Sequence, residues 1–135
     1  FTKEQINSSA VFQVDQLASV VILSGPEGYK IVELPRTAQY APIYAILVSD
    51  FDNDGIDDIL AAGNQYRVKP QYGRQDASAG WFFKGSLNGS QYKFNHGIDL
   101  GIEGEVRAIE FVEEDGQRFL IFGKNDAFEI FEITR

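Results

Sequence analysis

Two apolar runs flank an acidic loop in the middle of the chain, and this arrangement limits the possible folds more than any other feature. Ile43 to Ser49 carries Ile43, Ala45 and Leu47 on one face and Tyr44, Ile46 and Val48 on the other. A strand that is apolar on both faces predicts cover by protein on two sides. Ile59 to Ala62 reads as its neighbour. Between them lie Asp50, Phe51, Asp52, Asn53, Asp54, Gly55, Ile56, Asp57 and Asp58. Carboxylates occupy the first, third, fifth and ninth loop positions, and the glycine at the sixth permits the sharp bend that folds them about one point. The carbonyl of Ile56 can add a further oxygen. Hard oxygen ligands, about six to eight of them, are what Ca2+ requires. The candidate metal ligands are therefore Asp50, Asp52, Asp54, Ile56 and Asp58, and the candidate cofactor is Ca2+. The acids also need a cation, because clustered carboxylates repel and otherwise take up protons.

The loop differs from an EF-hand in two respects. Its twelfth position, where that motif places a bidentate glutamate, is Ala61, and its flanks read as strands instead of helices. A solvated acidic turn is the plain alternative, since Asp, Asn and Gly all favour turns. The spacing favours an ion that pins a strand-to-strand connection and performs no chemistry.

Strands dominate the remainder. Ala18 to Ser24 and Tyr29 to Leu34 are rich in β-branched residues and are separated by the turn Gly25 to Gly28. After a long loop, strands are expected at Gly80–Lys84, Ser90–Phe94, Glu105–Val112, Arg118–Phe122 and Phe128–Ile133, with Gly85 to Gly89 as a turn. Phe1 to Ser9 is the helix candidate, with Thr2 and Gln5 placed for a capping box. The pattern also restarts. Ala45 to Val48 matches Ala108 to Phe111, and Gly63 and Asn64 are echoed by Gly123 and Asn125. A four-stranded repeat of about sixty residues has the size of a propeller blade. A β-sandwich with a coincidental echo is the other reading. The expected fold is all-β: two four-stranded β-propeller-type blades with a short N-terminal helix. The divisions are 1–17 for the helix and a lead-in strand, 18–64 for the first blade with the calcium loop, 65–78 for the long loop and 79–135 for a second, degenerate blade.

The acidic loop resembles those of the FG-GAP and VCBS repeat families, which follow Asp-x-Asp-x-Asp-Gly-x-x-Asp between two strands of a blade. A narrower likeness, to the C-terminal part of ASPIC/UnbV-type bacterial proteins related to the cartilage acidic proteins, runs from about Ala18 to Lys84. It rests on Ala18–Ser19, Leu34–Pro35, Ala38–Gln39, Ala41 to Tyr44, the acidic loop with Ile59–Leu60, Gly63–Asn64, and Gly73, Arg74, Asp76, Ala77 and Ser78. The resemblance implies a β-propeller, an extracellular or cell-surface setting, calcium binding and no enzymatic activity. Two blades do not close a propeller, so a fragment of a longer chain or closure by association is expected.

Charge narrows the partners. Twelve Lys and Arg stand against twenty Asp and Glu, giving a net charge of −8, so neither nucleic acid nor an anionic membrane surface is an expected partner. No apolar run approaches a membrane span, which takes about 18 residues. Cysteine is absent, which removes disulfides and thiol chemistry. The chain opens on Phe1, which suggests a processed piece of a longer protein.

Three further constellations bear on function. The second repeat has Glu113, Glu114, Asp115, Gly116 and Arg118 where the first has its acidic loop, and this reads as an Asp-Gly hairpin without an ion. The long loop holds Tyr66, Tyr72, Arg74 and Asp76, with Trp81 after it. These are candidate contacts to a glycan or an acidic peptide through aromatic faces and a guanidinium fork. The plainer reading is that Arg74 and Asp76 tie the loop down. His96, the one histidine, sits in a turn with no nucleophile motif around it. The expected function is a non-enzymatic, calcium-stabilised extracellular interaction module, with a carbohydrate-binding module as the alternative. The expected partner is a protein or glycan, a second copy of the chain, or neighbouring blades.

Overall fold

The computed structural model describes residues 1–89 and 91–133. Its eleven strands among the described residues are β1 (Val20–Gly25), β2 (Gly28–Glu33), β3 (Ile43–Ser49), β4 (Asp58–Gly63), β5 (Trp81–Phe83), β6 (Gly85–Asn88), β7 (Gln91–Phe94), β8 (Ile98–Asp99), β9 (Val106–Glu114), β10 (Gln117–Lys124) and β11 (Phe128–Glu132). One α-helix, α1 (Lys3–Asn7), begins at Thr2. The Thr2 hydroxyl accepts from the Gln5 amide and the Gln5 side chain accepts from the Thr2 amide, which completes the capping box.

The strands form four antiparallel sheets: β1–β2, β3–β4–β5–β8, β6–β7 and β11–β10–β9. The protein is mostly β, as its sequence implies, but the strands group differently. The four strands of residues 18–64 divide between a separate hairpin and the central sheet. Trp81–Phe83, expected to open the second blade, pairs with β4 instead, in the register Ile59↔Phe83 and Ala61↔Trp81. Gly85–Asn88, expected as a turn, is a strand paired to β7. The strand expected from Ser90 begins at Gln91, Ser90 itself lying outside the described residues. Residues 10–17, where a lead-in strand was expected, have no regular structure.

The strand covered on both faces is β4, not β3. Every residue of β4 is buried. Leu60 and Ala62 pack with Ala45, Ile102, Val106, Ile109 and Phe122 against the β9–β11 sheet. On the other face, Ile59 and Ala61 join Leu34, Ala38 and Phe83, with Val21 of the hairpin beside them. In β3 a register shift between Ile43 and Ala45 breaks the alternation, so Ile43 joins the hairpin-side core while Ala45 faces β9. Tyr44, Ile46 and Val48 stay half-exposed, and the Arg107 guanidinium lies 4.3 Å above the Tyr44 ring. Ile46 and Val48 instead line an apolar groove of about 270 Å3 with Val20, Val21 and Leu23.

In the second half, Glu114 pairs with Gln117 across Asp115 and Gly116. Both turn residues have positive φ, 51° and 80°, the conformation a two-residue Asp-Gly hairpin demands.

Candidate functional site: the acidic loop

Residues 50–57 join β3 to β4 at one end of the central sheet, and Asp58 is the first residue of β4. Phe51, the second residue of the loop, turns into the core and meets Phe82 edge-on at 6.1 Å between ring centroids. With Phe51 anchored, the acids on either side of it are left to converge. The bend uses two residues of positive φ, Asn53 at 61° and Gly55 at 85°. Gly55 was expected in that role. Asn53 shares it, as one of the few residue types that tolerate the left-handed region.

Asp50, Asp52 and Asp58 each bring a carboxylate oxygen within 4.8 Å of the other two. The loop's own amides orient the acids. Asp50 Oδ1 accepts from the Asp54 amide at 3.1 Å and its Oδ2 from Gly55 at 2.8 Å. Asp52 Oδ1 accepts from Asp54 at 3.3 Å, and Asp54 Oδ1 from Ile56 at 3.0 Å. Asp58 is wholly buried. Its Oδ2 accepts from the Phe51 amide at 3.2 Å and its Oδ1 from the Gly85 amide at 2.8 Å. Asp57 is exposed, and its main-chain carbonyl accepts from the Tyr92 hydroxyl.

Sequence reasoning missed one member of the site. Lys84 places its ammonium against Asp52 Oδ2 and, at 3.0 Å, against Asp54 Oδ2. The register explains why. With Phe83 opposite Ile59, the next residue falls beside the loop. Assigning Trp81–Phe83 to a different blade hid that neighbour. The ammonium holds the Asp54 carboxyl below its usual range, and the two acids in turn push the Lys84 pKa up. Burial, together with the charges of Asp57, Asp58, Asp54 and Asp50, raises the Tyr92 phenol.

The second candidate set separates into two places. Tyr66, Arg74 and Asp76 line one cavity of about 380 Å3 with Asn64, Ser78 and Gly104. Arg74 lies 3.8 Å above the Tyr66 ring and pairs with Asp76 at 3.3 Å, so these residues bind one another. Tyr72 is exposed and outside that cavity. Trp81 packs beside the hairpin-side core, edge-on to Tyr40 at 6.5 Å. What anchors the loop is Asn64, buried, whose amide donates to the Ser78 and Gly104 carbonyls at 2.7 and 2.9 Å. Glu105 accepts there from the Tyr66 amide and from Arg107, both at 2.9 Å. His96 is exposed, and its carbonyl accepts from the Thr37 hydroxyl.

Residues 43–83 match the FG-GAP repeat family. The match spans β3, the acidic loop, β4 and β5, which are three adjacent strands of the central sheet. FG-GAP repeats are found in β-propeller and integrin-like modules. No curated protein and no solved structure matches the chain. Among the described residues, no helix is long and apolar enough to cross a membrane.

Proposed function

We propose that this chain is a calcium-stabilised, non-enzymatic interaction module of an extracellular or cell-surface β-propeller protein. The observation that carries the reading is the convergence of Asp50, Asp52 and Asp58 in a loop that lies inside the FG-GAP match. The donor chemistry fits the ion: carboxylates are hard oxygen ligands, and the loop already draws a cation, the Lys84 ammonium. Asp50, Asp52, Asp54 and Asp58, with the Ile56 carbonyl, would hold Ca2+. The ion would neutralise the clustered charge and lock the β3–β4 connection. The rest of the protein supplies interaction surface in the form of two apolar faces, one on the β1–β2 hairpin and one on the β9–β11 sheet.

Calorimetric titration and thermal melts test this. One Ca2+ per chain is expected. Calcium at 100 times its Kd should stabilise the fold by about 2.7 kcal/mol, since an ion bound only by the native state acts by mass action. Magnesium should substitute poorly, because its small octahedral shell suits a multi-carboxylate loop badly. A melt indifferent to calcium would sink the reading. The carbohydrate alternative keeps one observation, the cavity lined by Tyr66, Arg74 and Asp76. Glycan-array binding lost on Tyr66→Ala and insensitive to calcium would select it.

A further inference from the structure

The hydrogen bonding of the loop points to a function for Lys84. The four candidate ligands Asp50, Asp52, Asp54 and Asp58 carry eight carboxylate oxygens. Six of them accept main-chain amides, from Phe51, Asp54, Gly55, Ile56 and Gly85, the Asp54 amide serving two. The two left over, Asp52 Oδ2 and Asp54 Oδ2, are the two that the Lys84 ammonium holds. We propose that Lys84 is a tethered counter-cation, seated on the loop when calcium is absent and displaced from Asp52 and Asp54 when calcium binds. This rests on the calcium reading above and adds an exchange step to it.

The main chain is fixed and the side chain is free to move, as an exchange requires. The Lys84 amide donates to Asn95 Oδ1 at 3.1 Å and its carbonyl accepts from the Asn95 amide at 3.0 Å. Its neighbour Gly85 is bonded to Asp58. The side chain is 42% exposed, so its four-carbon stem can swing the ammonium into water without disturbing either strand. An ammonium left a few ångströms from a divalent cation would repel it strongly, so both cations do not share these oxygens. Seated, Lys84 relieves the repulsion among the acids and keeps the empty loop folded. Displaced, it charges the surface beside β5. The competing ammonium thereby lowers the loop's affinity for calcium, and raises the concentration at which the site fills.

Two measurements on the full chain decide this. Acylation of lysine amines read by mass spectrometry should label Lys84 slowly in chelator and several-fold faster with calcium, while Lys93 stays constant as an internal reference. In titrations, Lys84→Gln should bind calcium about ten-fold more tightly than wild type, with a lower melting temperature in chelator. Lys84→Arg, which keeps the charge, should bind no more tightly than wild type. Equal calcium affinity in wild type and Lys84→Gln, or Lys84 labelling unchanged by calcium in a protein that does bind it, would overturn the exchange while leaving the calcium site standing. Calcium binding by neither wild type nor Lys84→Gln would overturn the site itself, and the exchange with it.

Discussion

At the residue scale, the acids of the loop have different tasks even though the sequence presents them as equivalents. Asp58 is buried and accepts the amides of Phe51 and Gly85, so its carboxylate holds the fold together whether or not a cation is present. Asp54 is partly exposed and bonds Ile56 and Lys84. Asp58→Ala should therefore destabilise the protein in chelator by about 2–3 kcal/mol, since a hydrogen bond to a charged group is lost and buried amides go unpaired. Asp54→Ala should leave the chelator melt close to wild type yet abolish the calcium-induced rise. An unchanged calcium response in Asp54→Ala would remove that residue from the ligand set. Glu105 gives a pH signature at the other end of the sheet. The Tyr66 amide first, then Asn125, Arg107 and Arg67, hold its carboxyl below the ordinary value of 4.5. A depressed carboxylate stabilises the fold fully at pH values well above 4.5 and loses that contribution as the pH falls through its folded pKa. The melting-temperature gap between wild type and Glu105→Gln should thus be widest near neutrality and close in strong acid. A gap constant across that range would mean that the ionised form is not what stabilises.

At the element scale, the site depends on one pairing. β5 lies antiparallel to β4, which brings both the Lys84 side chain and the Gly85 amide to the loop. Gly85 has no room for more: a Cβ there would lie 2.2 Å from the Asp57 carbonyl oxygen and 2.8 Å from the Tyr92 hydroxyl. Gly85→Ala should push the β5–β6 corner away from the loop, cost about 1–3 kcal/mol as overpacking does, and weaken calcium binding along with it. Full calcium affinity in a destabilised Gly85→Ala would show that the corner does not shape the site. This pairing also marks where the sequence stops being legible. β3, the loop and β4 are written locally, as apolar runs around spaced acids, and the capped helix and the Asp115–Gly116 hairpin are local in the same way. The partner of β5 is not local. A three-residue strand of Trp and Phe carries no register of its own, so the repeat pattern alone places it, in the second blade, and the pairing to β4 corrects that. The same limit hid the bulge at Tyr44, because Ile43 to Val48 alternates cleanly on paper and only pairing to Gly63 and Ala62 shows the slip.

At the scale of the whole molecule, the sheets stack, and the stack has two open ends. The central sheet is covered by the β1–β2 hairpin on one side and by the β9–β11 sheet on the other. The outward face of the hairpin carries Ile22, Tyr29 and Ile31, exposed at 62, 83 and 61%. On the third sheet, the pairs Phe119–Val112 and Ile121–Ile130 lie on the face opposite Phe122, and Phe128 beside them is 70% exposed. The chain from Val11 to Leu17 adds Val11, Phe12, Val14 and Leu17, each more than two-thirds exposed. A soluble monomer seldom leaves contiguous apolar patches larger than about 300–600 Å2 in water, and open strand edges invite pairing. The isolated chain is therefore expected to self-associate at micromolar concentration, most simply as a two-fold dimer in which one of these faces meets its own copy. Sedimentation velocity gives the state, and one substitution on each face identifies the contact. Ile31→Lys should return the protein to monomer if the hairpin face pairs, and Ile130→Lys if the third sheet does. Both residues are exposed, so neither change opens a cavity in the core. A monodisperse monomer that binds no hydrophobic dye would mean that the chain satisfies these faces itself, with residues 10–17 folded back over one of them, and the association reading would then fall.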